Sequence, residues 1–146
     1  MVEQKTILLK PHSRGFHLIT PEVTKHIPKI TGVVTVFIKH TSASLTINEN
    51  ADPAVREDFE THFNKMVSEK ENYFKHTLEG LDDMTSHIKT SLLGSSVSFP
   101  IKSGVPLFGV WQGIYLCEHR NNGGSRKIII TCYGESNLFV LLCFVF

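Results

Sequence analysis

Apolar and polar residues alternate over several short segments of this chain, which is the pattern of strands buried on one face. The clearest segments cover residues 4–10, 15–19 and 33–40. In the third segment, side chains 34, 36, 38 and 40 share one face, and the Val-Val-Ile row on that face is predicted to be buried. His40 ends this row, so its imidazole is predicted to lie at an edge of the core.

Helical spacing follows in the middle of the chain. A short helix is predicted over residues 20–27, with Thr20 as its cap and a proline in its first turn. A longer helix is predicted to begin at Asp52-Pro53, because an N-cap residue precedes a first-turn proline there. The positions of its predicted buried stripe are Val55, Phe59, Phe63 and Met66.

Another helix is predicted from Asp82 or Asp83 to the residue before Gly94. Its predicted buried stripe is Met84, Ile88 and Leu92. Residues 67–81, between the two longer helices, are predicted to form a loop.

Beyond residue 95 the pattern is that of consecutive β-hairpins. Strands are predicted over residues 97–101, 109–120 and 127–133, with turns at 103–104 and 121–124. The predicted helices lie in the first part of the chain, strands dominate the last part, and the two do not alternate regularly. This order predicts an α+β fold, in which an antiparallel, β-sandwich-like sheet carries two or three helices.

Length and charge narrow the class of protein. The chain has 146 residues, 15 basic and 14 acidic, so its formal net charge is +1. One domain over residues 1–136 is expected, with no field that would recruit nucleic acid or an anionic membrane. Residues 138–146 are all apolar, but a membrane-spanning helix needs about 20 such residues. Residues 137–146 are therefore an apolar tail of unknown role.

The cysteines and the N-terminus suggest a compartment. Cys117, Cys132 and Cys143 cannot all pair with one another, and no CxxC spacing occurs. The N-terminal residues lack the apolar core of a signal peptide. These features predict a cytoplasmic protein.

Three histidines fall on three different predicted elements and could gather on folding. His40 ends a strand, His87 lies on the helix before Gly94, and His119 lies on the strand over 109–120. Three imidazoles with an open position suit a divalent metal such as zinc. Asp83, one helical turn before His87, could orient that imidazole. The alternative is three separate histidines that bond at core edges or on the surface.

Other polar groups have two interpretations each. The acidic segment 79–83 could hold Mg²⁺ at a diphosphate, or could simply complement a helix N-terminus. Trp111 could stack on a flat ligand while Gln112 bonds to its ring nitrogens, although a lone tryptophan is more often a core residue. Ser42 and Ser44 lack a GxSxG elbow, so their Ser/Thr-rich segment is predicted to serve turns and caps.

Two further interpretations concern the last hairpin. Glu118 and His119 are neighbours on a strand, so they cannot both point into one pocket. Arg126 and Lys127 follow the glycine turn and are predicted to be solvated.

Three blocks carry a resemblance to a known family. They are HTSASLTINENADP at 40–53, EGLDDMTSHIKTSLLG at 79–94 and WQGIYLCEHR at 111–120. In this order they resemble the YjbQ-like family, known as the secondary thiamine-phosphate synthase family, over residues 4–135. Thr85, Val110 and the apolar tail depart from the pattern of that family.

The resemblance implies a homotrimer of α+β subunits. It also implies a transferase activity that condenses hydroxymethylpyrimidine diphosphate with a thiazole phosphate and releases pyrophosphate. The alternative is a trimeric metal- or small-ligand-binding protein with incidental catalysis. The polar positions carried over are His40, Thr41, Ser42, Asn48, Asn50, Asp52, His76, Asp83, His87, Trp111, Gln112, Glu118, His119 and Arg120.

Specific roles follow from that resemblance. The expected catalytic residues are His40, His87, Glu118, His119 and Arg120. The expected substrate-binding residues are Ser42, Asn50, Asp83, Trp111 and Gln112. A divalent cofactor, zinc or magnesium, is expected on His40, His87 and His119.

Overall fold

The computed structural model describes residues 1–136, and the apolar tail over 137–146 lies outside the described residues. Along the chain the elements are β1 (Val2–Leu9), β2 (Gly15–Leu18), α1 (Thr20–Thr24), β3 (Ile30–Ile38), β4 (Ala43–Glu49), α2 (Pro53–Met66), α3 (Leu81–Leu93), β5 (Ser96–Lys102), β6 (Val105–Pro106), β7 (Gln112–Glu118) and β8 (Arg126–Ser136). This is the predicted α+β architecture.

Two antiparallel sheets form the sandwich. The larger sheet has the order β1-β8-β3-β5-β6, and the smaller sheet has the order β2-β7-β4. Apolar side chains from the facing sides of both sheets make one core, with Val34 and Val36 from β3 opposed by Leu45 from β4 and Leu116 from β7. Residues 34, 36 and 38 are buried, as the alternation predicted.

Helices α2 and α3 cover the outer side of the smaller sheet. Phe16 of β2 and Tyr115 and Cys117 of β7 form a second apolar cluster there, against which Phe59 and Phe63 of α2 pack. The predicted stripe on α2 is only half correct, because no residue of α2 is fully buried and Met66 is 52% exposed. The helix lies at the rim of the cluster.

The ends of two helices differ from the prediction. Asp52 caps α2 as predicted, since its carboxylate accepts a hydrogen bond from the Ala54 N–H over 2.9 Å. Thr20 does not cap α1, because Ile19 holds the N-cap position. The Thr20 hydroxyl instead accepts a hydrogen bond from the Ile114 N–H and ties α1 to β7.

Segment 43–49 is a strand, although it was predicted to serve turns and caps. The Ser/Thr-rich sequence forms β4, which pairs with β7 from Ala43–Glu118 to Glu49–Gln112. Ser44 is fully buried in this strand, where its hydroxyl has partners of its own. The polar composition of this segment is typical of turns, but its small hydroxyl side chains also fit a strand that packs against α3.

Helix α3 buries polar side chains. The predicted stripe was wrong: Leu92 is 60% exposed, and Met84 and Ile88 are only partly buried. The buried residues of α3 are Asp82, Asp83, Thr85, Ser86 and Lys89. All but Thr85 have partners distant in sequence, such as the His119 carbonyl, which accepts a hydrogen bond from the Ser86 hydroxyl over 2.9 Å.

Within residues 1–136, no helix is long and apolar enough to cross a membrane. Cys117 and Cys132 are buried free thiols, and Cys143 lies in the tail that the structure does not describe. The cytoplasmic compartment stays a prediction.

Candidate metal centre

Two imidazoles and one carboxylate meet at the first half of α3. His76 comes from the loop before the helix, and Asp83 and His87 lie one turn apart on it. Asp83 Oδ2 is 2.7 Å from His76 Nε2 and 3.4 Å from His87 Nε2. One donor atom from each of the three lies within 4.8 Å of the others. Over residues 1–136, this is the one set of three or more such side chains close enough to share an ion.

The orientation of His87 is set by a main-chain atom. Its Nδ1 lies 2.9 Å from the carbonyl oxygen of Thr41. A carbonyl only accepts, so Nδ1 carries the proton and donates it. In the neutral ring, Nε2 then presents a lone pair toward a carboxylate oxygen. Two electron-rich atoms at this separation repel each other unless a cation, either a proton or a metal ion, lies between them.

The carboxylate of Asp83 is buried and held from its other side. Asp83 is 1% exposed, and Arg120 Nη1 donates a hydrogen bond to its Oδ1. Burial alone would raise the pKa of the Asp83 carboxyl. Hydrogen bonding from His76 and the charge of Arg120 outweigh burial and hold that pKa below its usual value. Asp83 is therefore an anion, as a metal ligand must be.

The neighbouring carboxylate, that of Asp82, helps to hold Arg120 beside the cluster. Asp82 Oδ2 accepts hydrogen bonds from Arg120 Nε at 3.0 Å and from the Asn121 N–H at 2.9 Å. The pKa of Asp82 is lowered, because these bonds and the charge of Arg120 outweigh the effect of burial. Gly80 holds the N-cap position of α3 without a side-chain bond. Asp82 and Asp83 thus both form ion pairs with Arg120, a role that neither interpretation of the acidic segment had included.

His40 and His119 lie away from this cluster. His40 Nε2 accepts a hydrogen bond from the Lys127 N–H at 2.8 Å, and its Nδ1 lies 3.3 Å from Arg126 Nη1. Burial, followed by the charge of Arg126, lowers the pKa of His40. Both ring nitrogens face protein donors, so the expected triple-histidine site is not assembled: His87 is the single member of that trio in the donor cluster.

His119 is buried in the protein and bonds to a buried side chain. It is 1% exposed, and its Nε2 lies 2.8 Å from the Ser44 hydroxyl. Burial, followed by the charges of Lys89, Arg14 and Arg126, lowers its pKa to about 3. The neutral ring lies edge-on to Phe16. No metal or substrate can reach it without local opening.

Glu118 forms a buried ion pair that the sequence did not predict. Its two carboxylate oxygens accept hydrogen bonds from Arg126 Nη2 at 2.6 Å and Nε at 2.7 Å. Glu118 is 0% and Arg126 4% exposed, so the prediction that Arg126 is solvated was wrong. Arg126 Nη2 also donates to the Ser42 hydroxyl at 3.2 Å. Glu118 and Ser42 thus contact Arg126, not the donor cluster.

Three of the residues expected to bind substrate, Asn50, Trp111 and Gln112, meet at the turn that precedes β7. Asn50 Nδ2 donates to the carbonyls of Val110 and Gln112 at 3.3 Å and 3.0 Å, and Gln112 Oε1 accepts from the Gly109 N–H at 2.8 Å. The amides therefore hold the turn. Trp111 at its tip is 62% exposed, so it is neither a core residue nor part of the donor cluster.

An open cleft of ≈ 520 Å³ adjoins the cluster. Its lining residues are His40, Thr41, His87, Thr90, Ser91, Gly94 and Ser95. The Thr90 hydroxyl is buried without a hydrogen-bond partner. Hydroxyls and imidazoles line this space, and His87 connects it to the donor cluster.

His76 is the donor that was not assigned to the metal site from the sequence. It lies in a loop with no periodic pattern, seven residues before Asp83. The resemblance included it among the shared polar positions, which was the only signal for it.

Fold and site together define a β-sandwich protein with a helical cover and a His-Asp-His donor cluster at its surface. Residues 5–135 match the family model described as UPF0047 protein YjbQ-like. The chain belongs to this family.

Relatives and solved structures agree with this assignment. The chain is 52% identical to the UPF0047 protein YjbQ of Salmonella typhimurium, over 90% of this chain and 98% of the relative. The YjbQ/UPF0047-family protein of Clostridium acetobutylicum has a TM-score of 0.76 at 35% identity, covering 86% of this chain and 97% of that one. A YbjQ-like protein of unknown function from Sulfolobus solfataricus has a TM-score of 0.79 at 25% identity, with coverage of 92% and 99%.

These findings correct the expected activity. The relatives are named only as UPF0047 proteins, and the Sulfolobus protein is described as having unknown function. Thiamine-phosphate synthesis therefore does not follow from membership of this family, and that prediction was wrong.

Proposed function

We propose that this protein binds a divalent transition-metal ion, zinc by preference, through His76 Nε2, Asp83 Oδ2 and His87 Nε2. The observation that carries the proposal is the His87 ring, whose Nδ1 donates to the Thr41 carbonyl while its Nε2 faces a carboxylate oxygen at 3.4 Å. A histidine ligand commonly donates its second N–H to a backbone carbonyl in this way, which fixes the tautomer that binds metal.

The donor types favour zinc over magnesium. Two imidazole nitrogens and one carboxylate oxygen suit Zn²⁺, whereas Mg²⁺ prefers oxygen ligands and retained waters. Zinc–ligand bonds are about 2.0–2.2 Å long, so donors around one ion are a few ångströms apart. The three donor atoms already lie within 4.8 Å of one another, and small side-chain rotations would close them on an ion.

Three protein ligands leave a fourth position for water or a ligand atom. This is the arrangement of zinc sites that act on a bound molecule, because the ion polarises it or lowers the pKa of bound water. A small molecule would reach the ion from the cleft beside His87, whose hydroxyl lining supplies hydrogen-bond partners. The proposal is therefore a metal centre with a small-molecule site beside it.

Metal analysis tests this directly. The purified protein, stripped with a chelator and titrated with Zn²⁺, is expected to bind one equivalent. His76→Ala and His87→Ala should each weaken binding strongly, because two remaining donors hold zinc poorly. His62→Ala, which changes an exposed histidine on α2, is the matched control. Circular dichroism verifies folding of each variant. Absence of zinc binding by the wild type, or equal binding by His87→Ala, would reject the proposal.

We propose also that the chain self-associates, as a trimer. On the outer face of the larger sheet, Val2, Tyr133 and Val33 are in register across β1, β8 and β3, and Phe37 is exposed on the same face. Tyr133 is 65% exposed and Val2 63%. Such an uncovered apolar row supports an interface between protein chains.

Sedimentation equilibrium tests the assembly. A mass of three chains is expected for the wild type, and Tyr133→Lys should shift the distribution toward smaller species, because it buries a charge at the interface. Tyr73→Lys, at an equally exposed loop position, is the control. A wild-type monomer at micromolar concentration would contradict the proposal.

A further inference from the structure

The two oxygens of the Asp83 carboxylate have different partners. Oδ2 faces the imidazoles of His76 and His87, and Oδ1 accepts a hydrogen bond from Arg120 Nη1. A carboxylate that chelates a metal through both oxygens would have to give up the bond to Arg120. That bond is charge-assisted and partly buried, and charge-assisted bonds are about twice as strong as neutral ones.

Arg120 itself is fixed at every nitrogen of its guanidinium group. Nε donates to Asp82 Oδ2 at 3.0 Å, and Nη2 donates to the carbonyl of Glu79 at 2.8 Å. Its backbone N–H donates to Glu118 Oε1 at 3.0 Å, so the buried pair of Glu118 with Arg126 anchors the main chain there. The guanidinium group therefore cannot swing away from Asp83 without breaking several bonds together.

We infer that Arg120 is a positioning residue that restricts Asp83 to one-oxygen coordination and thereby selects small, four-coordinate ions such as Zn²⁺ over larger, oxygen-seeking ions. This inference rests on the proposed metal centre. It assigns a part of the metal preference to a residue that does not touch the metal.

The physical basis is the number of ligands that an ion requires. Zn²⁺ is satisfied by four ligands, so one oxygen from Asp83, two imidazoles and a water suffice. Mn²⁺ and Ca²⁺ prefer sites rich in oxygen, and Ca²⁺ takes six to eight oxygens with frequent two-oxygen binding by carboxylates. When Arg120 occupies Oδ1, these larger ions lose one possible oxygen ligand. Zn²⁺ needs only Oδ2 and loses none.

The experiment combines a binding ratio with a spectrum. Arg120→Met keeps an unbranched apolar stem but removes the guanidinium group and with it every donor. Arg120→Lys keeps the charge, although one ammonium group cannot bridge Asp82, Asp83 and the Glu79 carbonyl together. Arg56→Met, on α2 and outside the cluster, is the control. Dissociation constants for Zn²⁺ and Mn²⁺ are measured for each protein, and the visible spectrum of bound Co²⁺ reports its coordination number.

The wild type is expected to give the intense spectrum of four-coordinate Co²⁺. Both Arg120 variants should give the weaker spectrum of five- or six-coordinate Co²⁺, because Oδ1 becomes available. Their preference for Zn²⁺ over Mn²⁺ should fall by roughly 10-fold or more, the scale on which loss of an outer hydrogen-bond partner affects metal sites. A change in folding stability alone would not move the spectrum in this direction.

The outcomes separate the two proposals. A wild type that binds neither Zn²⁺ nor Co²⁺ overturns the metal centre and this inference with it. A wild type that binds both, with folded Arg120 variants of unchanged spectrum and unchanged Zn²⁺/Mn²⁺ ratio, overturns only the role of Arg120. Should both variants fail to fold, the wild-type spectrum still decides, since five- or six-coordinate Co²⁺ there contradicts the four-coordinate site that this inference requires.

Discussion

Replacing Glu118 with Ala is expected to lower the free energy of unfolding by about 3–5 kcal/mol, the usual effect of removing one partner from a buried ion pair. The substitution leaves the Arg126 guanidinium group buried at 4% exposure with its two strongest acceptors gone. Urea unfolding followed by circular dichroism measures the change.

Two comparisons show whether the ion pair is the cause. Glu57→Ala, at an exposed position of α2, should change stability little. The double variant Glu118→Leu, Arg126→Met removes both charges, so it should be more stable than Glu118→Ala alone. A Glu118→Ala protein as stable as the wild type would show that Arg126 finds other partners.

Acidification from pH 7 to pH 5 is expected to destabilise the protein by about 2 kcal/mol through His119 alone. In the unfolded chain this imidazole has its ordinary pKa of about 6.5 and takes up a proton over this range. In the folded chain its pKa is about 3, so the buried ring stays neutral. The unfolded state therefore gains protons first. Stability falls as the pH decreases from about 6.5 toward 3, and this contribution is complete below 3.

His119→Asn isolates this contribution, since an amide can still bond with the Ser44 hydroxyl but does not titrate. Urea unfolding of both proteins at pH 7 and pH 5 should show the stability difference between them shifting by about 2 kcal/mol in favour of the variant at pH 5. His62→Asn, at an exposed histidine of α2, is the matched control. Parallel pH profiles for the wild type and His119→Asn would contradict a neutral, buried His119.

Local signals in the sequence were sufficient for much of the fold. Alternation along β3 predicted which of its side chains are buried, and the Asp52-Pro53 pair predicted where α2 begins. Each of these features depends on residues adjacent in the chain. The strand β4 was missed, because its hydroxyl side chains are typical of turns and its burial depends on pairing with β7, more than 60 residues away.

The site was less accessible to sequence reasoning, for the same physical reason. The polar face of α3 is buried because Arg120 and the His119 carbonyl satisfy it from the loop between β7 and β8, two strands that lie in different sheets and do not form the predicted hairpin. Helical periodicity contains no information about such distant partners. Asp83 lies beside His87, as their four-residue spacing on a helix indicated, but His76 lies in an irregular loop and His119 bonds within the core.

The Thr41 carbonyl that orients His87 has a consequence for how this protein tolerates substitution. A main-chain oxygen is supplied by every amino acid, so the side chain at position 41 can change without altering which nitrogen of His87 is protonated. Short of replacing His87 itself, a substitution can disturb that contact only by shifting α3 or the backbone between β3 and β4. The tautomer of the His87 ring is thus determined by the path of the backbone and does not depend on which side chain occupies position 41.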